Sequence, residues 1–158
     1  MTKYHALETD IVRHWQAGGA DAHGQVPQRA VSDGQGNPCR HCLREIPETA
    51  EMLILAHRPF ETLHPYAECG PVFVCAAPCN RADPDAVPQI LTTSPDYLVK
   101  GYSGDERIVY GTGAVVPAGD IAGKAAITFE DPRVAFIHVR SARNNCYQLR
   151  LDRYGRNQ

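Results

Sequence analysis

Apolar residues in this chain come in short runs, cut repeatedly by 13 glycines and 12 prolines. Met52–Ala56 (MLILA) and Val72–Cys75 (VFVC) are continuous and short, which predicts buried strands. Cys146–Asp152 alternates, with Tyr147, Leu149 and Leu151 on one side and Cys146, Gln148, Arg150 and Asp152 on the other. Val134–Arg140 is a second strong strand, and Ser141–Asn145 makes a hairpin loop between the two. Tyr97–Tyr102 and Arg107–Tyr110 read as strands joined by the turn SGDE. Two short helices are predicted. Thr9 caps one over Ile11, Val12 and Trp15, which Gly18-Gly19 ends. Asp120 opens the other over Ile121, Ala125 and Phe129, and Pro132 stops it. Residues 20–38 are turn-rich, and the segment 80–96, with three prolines, is an irregular connection. No repeat or linker divides the chain. The expectation is one α+β domain over residues 1–158, with a mixed or mostly antiparallel sheet.

Composition narrows the class. Hydrophobic residues make up 43% and charged residues 22%, ordinary values for a globular chain. No apolar run reaches the ~18 residues of a membrane helix. The N-terminal MTKYHALETDIVRHW lacks the apolar stretch of a secretory signal. A bacterial-type cytoplasm is therefore expected, where cysteines stay reduced.

That setting gives the cysteines their interest. Cys39 and Cys42 (PCRHCL) have x2 spacing, and Cys75 and Cys79 (CAAPC) have x3 spacing. Tetrahedral zinc takes soft thiolates offered in pairs from tight turns, and a 32-residue gap would make the metal a staple between distant loops. His64 or Cys69 could replace a member of the quartet. A redox CxxC fits less well, because Pro47 follows too soon for the helix that would activate the thiol. Plain buried thiols remain a competing reading. His41, between the first two cysteines, reads as a solvated loop residue.

Charge adds a second candidate. Residues 133–158 hold six arginines and one acid, a net +5 that leaves −7 on the rest of a chain whose total is −2. If Arg140 pairs with Cys146, then His138 pairs with Gln148, and His138, Arg140, Arg143 and Asn144 converge at one hairpin end. Such a set suits a small anionic ligand; internal pairing of the arginines is the plainer reading. The alternative is a cysteine-dependent enzyme, with Cys146 as nucleophile or redox thiol and His138 as base. Nucleic-acid binding ranks last, since the chain is net acidic and few aromatics interleave with the arginines.

The stretches NPCRHCLREIPETAEMLILAHRPF, PYAECGPVFVCAAPC, VKGYSGDERIVYGTGAVVP and VAFIHVRSARNNCYQLRLDR resemble the bacterial domain of unknown function 1203 family, from about Val12 to Arg153. The resemblance implies one soluble domain and supplies no activity. The family often has His where this chain has Cys75, which suits a metal ligand because zinc accepts either; other members lack the partner of the CxxC, which implies a structural role confined to part of the family.

Overall fold

A computed structural model describes Thr2–Arg153. Residues 154–158, the end of the basic segment, lie outside the described residues, as does Met1. Among the described residues, eight strands form two antiparallel sheets. The larger has the order β1(Thr2–His5), β8(Tyr147–Arg153), β7(Phe136–Ser141), β5(Asp96–Tyr102), β6(Ala114–Pro117). The smaller has the order β2(Gln28–Val31), β3(Glu51–His57), β4(Gly70–Cys75). The helices are α1(Thr9–Gln16) and α2(Ile121–Thr128).

One face of the large sheet is apolar. Val99, Ile137, Val139, Leu149 and Leu151 are buried there and pack with Ile121 and Ala125 of α2. Helix α1 presents Val12 and Trp15 to the small sheet, where Leu53, Leu55, Val72 and Val74 complete a second cluster. Tyr147 of β8 belongs to that second cluster, so the sheets share packing rather than standing apart. Asp10 in the first turn of α1 and Arg13 and His14 in its last turn complement the helix dipole. Gly18, at φ +90°, ends it: Gly19 N–H donates to His14 O (2.8 Å) and Gly18 N–H to Trp15 O (3.0 Å), the Schellman pattern that a residue with a Cβ adopts at a cost.

Several expectations change. Three short strands, β1, β2 and β6, were not anticipated, and β2 lies within the turn-rich stretch. Arg107–Tyr110 is not a strand; only an isolated bridge joins Ile108 to Tyr102, next to Glu106 at φ +64°. The N-cap of α1 is Glu8 rather than Thr9, whose hydroxyl is engaged elsewhere. The C-terminal hairpin has a different register. His138 lies opposite Arg150, and a bulge after Val139 sets Tyr147 opposite Arg140. The extra residue absorbed there moves Tyr147 onto the face of His138 and Arg140, while Cys146 falls in the turn, before β8 begins.

Candidate metal centre

The loop before β3 and the end of β4 bring the two cysteine pairs together. Cys39, Cys42, Cys75 and Cys79 place their sulfurs all within 4.8 Å of one another. A tight knuckle forms the first pair. Cys39 N–H donates to Arg44 O and Leu43 N–H to Cys39 O, both at 2.9 Å. Leu43 closes it at φ +54°, a strained position for a side chain, held because that side chain is fully buried. The second pair follows from β4. Its edge residue Cys75 donates its N–H to Cys39 Sγ at 3.3 Å, and Pro78 turns the chain so that Cys79 Sγ comes 3.9 Å from Cys39 Sγ. All six cysteines are free, and 3.9 Å is far beyond the ~2.05 Å of a disulfide.

Helix α1 braces the second pair. Arg13 donates to Cys79 O at 2.8 Å, and Gln16 donates to Cys75 O at 2.8 Å and Ala77 O at 3.1 Å. His41 is fully buried, not solvated as expected. Its Nδ1 lies 3.1 Å from Cys79 Sγ and its Nε2 2.9 Å from Thr9 Oγ1. Burial, the leading influence, lowers the His41 pKa, so the ring is neutral. Either tautomer can complete these two bonds; with Cys79 as a thiolate, Nδ1–H donates to its sulfur and Nε2 accepts from the Thr9 hydroxyl. Arg40 turns inward and donates to Tyr147 O (2.8 Å) and Pro38 O (2.7 Å); burial brings its pKa down to about 10.

Electrostatics inside the quartet are unbalanced. Hydrogen bonds from Cys42, Cys75 and Cys79 hold the Cys39 thiol far below its ordinary value. Bonds with Cys39 and Cys42 push Cys75 and Cys79 far above theirs. Cys42 is lowered too: Cys39 opposes its ionisation, and bonds from Cys75 and Cys79 favour it. Ionising all four thiols then places like charges at contact distance. A cation at the centre removes that repulsion. Cys42, Cys75 and Cys79 border a surface groove of about 900 Å³, while Cys39 is wholly buried behind them.

The other sequence candidates lie apart from this cluster. His64 is held by Glu106 at 3.2 Å, and Cys69 lies 3.9 Å from His23 Nε2, so neither replaces a member of the quartet. At the hairpin, the expected convergence does not occur. Arg143 leaves the turn to meet Asp96 at 2.8 Å, at an exposed position. Arg140 is buried and reaches Glu68 at 3.4 Å and Asn145 O at 3.1 Å. His138 is buried in a box of Phe60, Tyr102, Phe136 and Tyr147, with ring centroids 4.8–5.1 Å away. Burial holds its pKa well below the usual histidine range. Cys146 Sγ instead faces Asn144 O at 3.7 Å. The bulge is the reason: it withdraws Cys146 from the sheet face that carries His138.

His41, Thr9, Arg13, Gln16 and Arg40 were missed from the sequence. A usable signal existed for three of them. Thr9, Arg13 and Gln16 are spaced i, i+4, i+7, a polar stripe on one face of α1 beside the apolar one.

The fold and the cysteine cluster define a small α+β protein with four clustered cysteines that could hold a metal ion. The chain belongs to the family described as Protein of unknown function (DUF1203), which it matches over residues 36–153. That stretch holds all four clustered cysteines and His41, whereas α1, which braces them, precedes it. No curated protein and no solved structure matches the chain. Among the described residues no helix is long and apolar enough to cross a membrane.

Proposed function

We propose that Cys39, Cys42, Cys75 and Cys79 hold a structural zinc ion, and that the protein is a zinc-stapled domain. One observation carries this reading: four sulfurs within 4.8 Å of one another. A tetrahedron with Zn–S bonds of ~2.3 Å has S···S edges of about 3.8 Å, and the Cys39–Cys79 separation is 3.9 Å. Four protein sulfurs complete the tetrahedron and leave no position for substrate or water, which is the pattern of a structural centre. The surrounding donors fit the same role. His41 Nδ1–H and the Cys75 N–H both point at ligand sulfurs, as groups that orient and charge-balance thiolates do.

Zinc would join the knuckle before β3 to the end of β4, and through α1 the N-terminal segment as well. Metal content and thiol counting test this. About one zinc per chain, with Cys69 and Cys146 as the two thiols that react with a disulfide reagent, is the expected result. Six reactive thiols and no metal in freshly purified protein would remove it. The cysteine-enzyme alternative has no comparable support, since Cys146 and His138 do not share a sheet face.

A further inference from the structure

The second face of the large sheet differs from the first. Phe136, His138 and Arg140 of β7 alternate onto it, and the register brings Tyr102 and Lys100 of β5 beside them. The segment between β3 and β4 covers it: Phe60 packs on Tyr102 and His138 at 5.4 and 5.1 Å, and Glu68 reaches Arg140 and Lys100 at 3.4 and 3.6 Å. Under this cover lie polar atoms without a well-formed hydrogen bond: Arg140 Nε and Nη2, the Tyr102 hydroxyl and His138 Nδ1, although the Arg140 guanidinium and the Tyr102 hydroxyl are close enough to act on each other. Arg140 is 4% exposed and Tyr102 0%. Unpaired buried donors cost free energy, so each needs a reason.

The chemistry of these atoms is specific. Nε and Nη2 form one edge of the guanidinium, the two-donor fork that fits a carboxylate or phosphate. Its other amine, Nη1, is already taken by Asn145 O and Glu68. The Tyr102 hydroxyl stands beside Arg140, and burial raises its pKa to about 12, so it keeps its proton as a donor. Arg140 also borders a cavity of about 230 Å³ together with His57, Asn144 and Cys146, and Glu68 is the one acid that lines it among the described residues. That volume suits a group of a few heavy atoms.

We propose that a small oxyanion, a carboxylate or phosphate group, enters through this cavity in competition with Glu68 and reaches the Nε–Nη2 edge of Arg140 and the Tyr102 hydroxyl, which the cavity as it stands does not expose. Glu68 is half-exposed and its two ion pairs are long, so it yields readily to a ligand that brings a better acceptor. Entry requires it to lift, because the free guanidinium edge is shielded from solvent. The site shares no residue with the cysteine cluster. It keeps Arg140 and Asn144 of the set expected from sequence; His138 does not line the cavity, and Arg143 is paired with Asp96 instead.

Calorimetric titration of the metal-replete protein with inorganic phosphate, acetate and succinate, in separate arms, tests this. Saturable binding in the millimolar range or tighter is expected in at least one arm, and the arm identifies the source of the oxyanion. Tyr102→Phe, which removes only the hydroxyl, should weaken it about tenfold with little change in the melting temperature. Arg140→Lys, keeping charge but losing the fork, should weaken it at least as much. Glu68→Gln should tighten it. No saturable binding to wild type or Glu68→Gln in any arm overturns the proposal and leaves these donors to buried water. Binding that survives both Tyr102→Phe and Arg140→Lys unchanged overturns it too.

Discussion

The cysteine cluster and the covered face of the large sheet both bury polar atoms, and they are satisfied in opposite ways. Around the sulfurs the outer hydrogen bonds are in place: Arg13, Gln16, His41 and Thr9 each have a partner. What that site lacks in balance is positive charge at its centre. On the sheet face the cations and donors are present and the acceptors are short, with Glu68 shared between Arg140 and Lys100. In the first arrangement, helix α1 and His41 brace the Cys75–Cys79 pair through direct hydrogen bonds. The second is held by a half-exposed carboxylate on a connecting segment, where displacement is cheap.

The largest test breaks the first half of that contrast. Structural zinc contributes on the order of 10 kcal/mol in small domains, comparable with a whole domain's stability. Cys39→Ser should therefore lower the melting temperature by about 10 °C or more, and a chelator should do the same to wild type through the groove beside Cys42, Cys75 and Cys79. Melting curves that coincide with wild type, with and without chelator, would dissolve the distinction between the two sites.

The second test uses pH and belongs to the sheet-face side. Burial first, then the Arg40 and Arg58 charges, lowers the His57 pKa from 6.5 to about 4. The folded state thus resists protonating His57 while the unfolded state does not. The contribution is fully present above pH 6.5 and is lost as pH falls through about 4, amounting to roughly 3 kcal/mol. Denaturant titrations across this window should show the slope, and His57→Phe, which keeps an aromatic ring against Trp15 and Tyr147, should flatten it.

A smaller effect sharpens the role of the outer hydrogen bonds at the cluster. His41→Ala should weaken zinc retention about 10- to 100-fold in competition with a chromophoric chelator, and Thr9→Val should act in the same direction more weakly. Equal retention in both variants would mean that the sulfurs alone set the affinity. The smallest effect concerns Arg143. Its exposed pair with Asp96 is worth about 0.2–1 kcal/mol, so Arg143→Ala should leave the melting curve nearly unchanged and should not alter phosphate binding.

Local pattern carried much of this architecture. The MLILA and VFVC runs became β3 and β4, the alternation after Cys146 became β8, and the glycine pair ended α1. The strands missed were four residues long and partly exposed, with too little apolar periodicity to stand out. The four cysteines were legible because ligand spacing is a local property, and the two turns that present them are written in adjacent prolines and glycines. Arg140 and Asn144 were named for an anion site, but by way of a pairing that does not form.

What the amino-acid order determined by itself was everything that depends on neighbours within a turn or a strand: the element types, the paired thiols, the basic C-terminal segment. The tertiary structure decided the rest. A bulge of one residue after Val139 exchanged which side chains face His138, and alternation cannot reveal a bulge because it only shifts the phase of the pattern. His41 and Thr9, 32 residues apart, meet only because α1 lies over the knuckle, and Arg140 finds Glu68 only because the β3–β4 connection folds across the sheet. Partners so distant in sequence are chosen by packing, and packing is a property of the assembled chain.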